Sequence, residues 1–82
     1  MNPQELLEFA AALAKSIDCM CIAYPGDPRL LEWTRELLED AIECHSLDDD
    51  QARVLKSEVW QRLKPATQAE LQALKQGQEV TA

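Results

Sequence analysis

Tyr24-Pro25-Gly26-Asp27-Pro28 separates two segments of helical periodicity, and its reading decides the fold. Pro25 has no N–H and disfavours the α region at Tyr24, so a helix that reaches Tyr24 must stop there. Gly26 tolerates positive φ, Asp27 offers a capping carboxylate, and Pro28 suits the opening of a new helix. A connection this short leaves its two flanking helices antiparallel.

Upstream, Asn2-Pro3-Gln4-Glu5 joins a capping side chain to Pro at the first helical position and a carboxylate two residues beyond it. Leu6, Phe9, Ala10, Leu13, Ile17, Met20, Cys21 and Tyr24 then recur every three or four residues, which predicts a helix over 3–24. Downstream, a second helix is expected over 28–45. Its apolar arc runs from Trp33 through Leu30 and Ala41 to Ile42, with Cys44 and His45 inside it. That arc is about half the circumference, wider than the ~100° one core face requires. The helix should therefore pack on two neighbours or contribute to an interface.

Ser46-Leu47-Asp48-Asp49 reads as the next cap, with Asp48, Asp49 and Asp50 well placed against a helix N-terminus. The third helix is predicted over 47–64, with Leu55, Val59 and Leu63 inward, Trp60 at the edge and Val54 outward, and Pro65 ends it. Thr67-Gln68-Ala69-Glu70 reads as a capping box for a short fourth helix over 68–76, with Gly77 as its C-terminal stop. The expectation is an all-α fold: one domain over 1–77, a bundle of three long helices and a short fourth, with 78–82 as a flexible tail.

Charge narrows the function. Eight Lys and Arg against fifteen Asp and Glu leave −7 on 82 residues. That sign opposes nucleic acid and anionic membranes and favours a basic partner. No apolar run approaches the ~20 residues of a membrane span, and no basic segment precedes an apolar leader. Three cysteines cannot complete an internal disulfide framework, so reduced thiols and a cytoplasmic location are expected.

Cys19, Cys21, Cys44 and His45 would make a tetrahedral zinc set by type. Residues two apart on a helix point about 200° apart, however, and adjacent ones about 100°. The expected roles are instead two buried thiols (Cys21 and Cys44), an exposed Cys19, and a core or interface His45, with no metal or cofactor. No Cys–His pair is accompanied by a turn that could supply an oxyanion site, which argues against an enzyme. Arg53, Lys56, Arg62 and Lys64 raise the question of a DNA-reading third helix, but three aspartates occupy the end that would enter the groove.

The informative feature is the second helix. Residues 27–45 carry Arg29 and Arg35 against Asp27, Glu32, Glu36, Glu39, Asp40 and Glu43, two charges against six, for a net −4. Glu32, Glu36, Glu39, Asp40 and Glu43 form a stripe opposite the apolar arc, and like charges one turn apart cost stability. The expected function is a small non-enzymatic protein that binds and inhibits another protein, presenting a nucleic-acid-like acidic face to a basic surface. Small inhibitors of phage and mobile elements act in this way. The alternative is an adaptor or homodimer that binds through an apolar face containing Trp33 and Trp60.

Overall fold

The computed structural model describes the backbone of residues 1–81 and the side chains of residues 1–77. It is all-helical, with α1 over Pro3–Ala23, α2 over Leu30–Cys44, α3 over Asp49–Arg62 and α4 over Pro65–Thr81. No helix among the described residues is long and apolar enough to cross a membrane.

The Asn2 side chain accepts from the Glu5 N–H at 2.8 Å and caps α1, with Pro3 in its first turn. The face that follows buries Leu6, Ala10, Leu13, Ala14, Ile17 and Cys21. At the break, Gly26 takes φ +74°, and the Asp27 carboxylate accepts from the Arg29 N–H at 2.9 Å. The Gly26 N–H also donates to Glu70, which ties this turn to α4.

Helices α1 and α3 form a parallel pair. Gln51 at the start of α3 donates to the Met1 carbonyl at 2.9 Å, and Asp18 near the end of α1 accepts from the Lys64 N–H just past α3 at 3.1 Å. Helices α1 and α3 thus run side by side in the same direction, with α2 as the return stroke between them. The Phe9 and His45 rings meet edge-on at 4.7 Å, placing the end of α2 beside the first half of α1, antiparallel as the short turn requires. The most extensive helix pairing is nevertheless α1 with α3, while α2 shares its wide arc between α1 and α4. Leu13, Ile17 and Ala41 are buried, and Leu37 packs on that core half-buried.

Three boundary expectations need correction. Ser46 is not a cap: it closes α2 with φ +50°, its N–H bonding Glu43 O while the Leu47 N–H reaches back to Ile42 O. This is a Schellman arrangement with serine at the left-handed position. Asp48 caps α3 instead, accepting from the Gln51 N–H at 2.8 Å while the Gln51 side chain returns to the Asp48 N–H. Thr67 is not the cap of α4 either. Pro65 both ends α3 and opens α4, Lys64 O accepts from the Gln68 N–H at 3.0 Å, and Thr67 is buried in the first turn. Gly77 does not stop α4, which continues to Thr81. A helical glycine costs only about 1 kcal/mol against alanine, too little to end a helix by itself. The expected tail is helical backbone as far as Thr81, and Ala82 lies outside the described residues.

Asp18 is 7% exposed, and its bond to Lys64 fixes the α3–α4 corner against α1. Asp18→Ala leaves that N–H unserved and should lower stability by about 1–3 kcal/mol, whereas Asp18→Asn keeps an acceptor and should cost less. Chemical denaturation of the pair checks the order. Ser46→Gly should raise the thermal midpoint by a few degrees, because glycine removes a left-handed penalty of about 1–2 kcal/mol at a smaller entropic cost.

Candidate functional site

Helix α2 offers two different flanks to a partner. On one, Glu32, Glu36, Glu39, Asp40 and Glu43 fall within an arc of about 100°, and all five are exposed. Their one ion pair among the described residues joins Glu32 to Arg35 at 4.0 Å, with both side chains more than 60% exposed (62% and 66%). Solvent screening leaves such a pair little energy. The neighbouring aspartates are largely committed: Asp48 caps α3, and Asp50 pairs with Arg53 at 2.6 Å.

The two tryptophans are placed apart. Trp33 is half-buried at the α1–α2 turn, where the Tyr24 ring meets it edge-on at 5.5 Å and the Arg29 guanidinium lies 4.7 Å from its ring centre. Arg29 in turn holds the Asp27 carboxylate at 2.8 Å. The Arg29 side-chain hydrogen bond is the main reason that the Asp27 carboxyl lies below its ordinary range. This cluster staples the turn and leaves Trp33 partly occupied within the chain. Trp60, 37% exposed, lies elsewhere. It lines a groove of about 640 Å³ between α3 on one side and α2 and α4 on the other, with Ile17 of α1 also on the lining. The α2 residues in this groove are Leu31, Thr34 and Leu38, on the flank away from Trp33. Sequence periodicity ranked these as ordinary core positions, because it cannot show that α3 stands off from α2 and α4.

The cysteines do not converge. Cys21 is buried and Cys19 exposed, as their 200° divergence implies, but Cys44 is exposed rather than buried. His45 is also exposed, with one face on Phe9, and is not a core histidine. The expected apolar arc of α2 is therefore wider than the surface that its neighbours cover. Burial, together with the nearby charges of Glu70 and Asp18, raises the Cys21 thiol above its ordinary pKa, the opposite of nucleophile activation. Among the described residues, no group of three His, Cys, Asp or Glu side chains is placed to hold a metal ion.

No protein-family model, curated protein or solved structure matches the chain. The surfaces themselves therefore carry the functional reading.

At neutral pH, a thiol-labelling reagent followed by mass spectrometry should modify Cys19 and Cys44 quickly. Cys21 should react at the rate of global unfolding. Equal rates at all three would contradict the placement of Cys21 in the core.

Proposed function

We propose that this protein is a non-enzymatic binding protein that inhibits another protein by laying the acidic face of α2 on a basic surface. The observation that carries the reading is the near-total lack of compensation on that face. Five exposed carboxylates share one long contact to Arg35, although a lysine one turn away from any of them would relieve the repulsion. A helix packed on α1 and α4 sets the Cβ atoms of these residues, one turn apart, about 6 Å from each other. Their spacing is comparable with that of phosphates along a nucleic-acid strand, so a groove that normally holds phosphates is a suitable target. Binding of this kind is steered by charge, so it is fast at low salt and weakens steeply as salt rises. Occupation of the basic groove would exclude its usual ligand without any chemistry on the part of this chain.

The test is affinity capture of partners with the intact chain, beside a Glu36→Lys/Glu39→Lys variant whose fold is verified by circular dichroism. A partner with a basic surface should be retained at low salt, released between about 0.05 and 0.5 M salt, and absent from the variant. The variant should be no less stable than the parent, since like charges one turn apart are removed. Capture of the same partner by parent and folded variant alike would overturn the reading.

A further inference from the structure

We propose that the groove between α3 and the α2–α4 pair is a binding site for a small amphipathic anion, a hydrocarbon body with a carboxylate head. This goes beyond the acidic-face reading and does not depend on it. Along α3 the groove runs from Lys56 to Leu63, two helical turns or about 10 Å. Its volume of about 640 Å³ lies in the range of small-ligand sites. That length accommodates a single short chain or ring system; it also equals the i to i+7 span of a docked helix, so the lining decides the occupant.

The lining fixes the chemistry. Val59, Leu63 and Leu71 are buried apolar surface, and Trp60 and Leu38 form partly exposed walls. No Asp or Glu is among the lining residues, although carboxylates outnumber cations almost two to one in the chain. Two lysines are: Lys56 of α3 and Lys75 of α4. All four arginines are engaged in ion pairs, whereas neither of these lysines has one among the described residues. The groove is thus a locally cationic, apolar site on an acidic protein. A neutral hydrocarbon would gain nothing from the two exposed ammonium groups, and a polyanion would meet repulsion from the rest of the chain.

Dodecanoate, kept below its micelle-forming concentration, is the probe, and dodecyltrimethylammonium, with the same tail and opposite head charge, is its control. Trp33→Phe leaves Trp60 as the sole tryptophan reporter. Dodecanoate should shift Trp60 emission saturably, and Lys56→Gln/Lys75→Gln should weaken that binding by about tenfold with the helical spectrum unchanged. An equal saturable response to the ammonium surfactant, undiminished affinity in the folded double variant, or no saturable response to dodecanoate would each overturn the proposal. So would a Glu-flanked amphipathic peptide that shifts Trp60 and is not displaced by dodecanoate, since the groove would then be a protein-docking site. None of these outcomes depends on Glu36 or Glu39, so the two readings stand or fall separately.

Discussion

Ala10 and Ile17 have no exposed surface, and Leu6, Leu13, Ala14 and Cys21 have almost none, because α1 is covered by α2, α3 and α4 together. In a chain of this size one helix has to serve as the common wall of the core, since a small domain buries only about 60–65% of its unfolded surface. The alanines at 10 and 14 allow a neighbour to approach α1 closely, and α1 with α3 is the most extensive pairing in the bundle. Every other placement is set relative to that central helix.

The groove follows from the same constraint. Helix α3 is drawn to α1 along its length, held by Met1 at one end and Asp18 at the other, while α4 is held to the α1–α2 turn through Glu70. Two elements anchored separately to a common support need not meet, and the seam between them is lined by side chains with apolar area to spare. Asp18 matters for a second reason. Its carboxylate sits at the N-terminus of α4, where the unserved N–H groups and the helix dipole favour negative charge. One side chain thereby fixes both the corner between two helices and the electrostatics of the second.

Helix existence was legible in the sequence because the signals were redundant. For α1, the cap at Asn2, the Pro3 start, the apolar spacing and the Pro25 stop all agreed. Boundaries failed where two signals competed for the same residues. Ser46 and Asp48 both looked like caps, and the tie was resolved by the left-handed turn that α2 needs at its end. Thr67 lost its role to Pro65, whose ring already presets the helical φ. The acidic stripe was equally legible, since 100° periodicity alone places those carboxylates opposite the core. The groove was not, because it depends on how far apart helices stand, and a single sequence carries no distances. Periodicity also overstated the burial of Cys44 and His45, which lie on the apolar side of α2 yet stay exposed, His45 even with the Phe9 ring against it.

The parallel pairing of α1 with α3 has a consequence during synthesis. As the polypeptide leaves the ribosome, α1 and α2 appear first, yet α1 meets its principal neighbour only when residues 49–62 have followed, and its Asp18 clasp only at Lys64. Most of the chain must therefore emerge before its core can close, and translation at about 5–20 residues per second leaves a nascent hairpin with the α3-facing side of α1 uncovered for seconds. The completed fold is a late, nearly all-at-once event, and a transcript cut short before α3 would yield a product with an open apolar flank, suited to capture by chaperones or proteases.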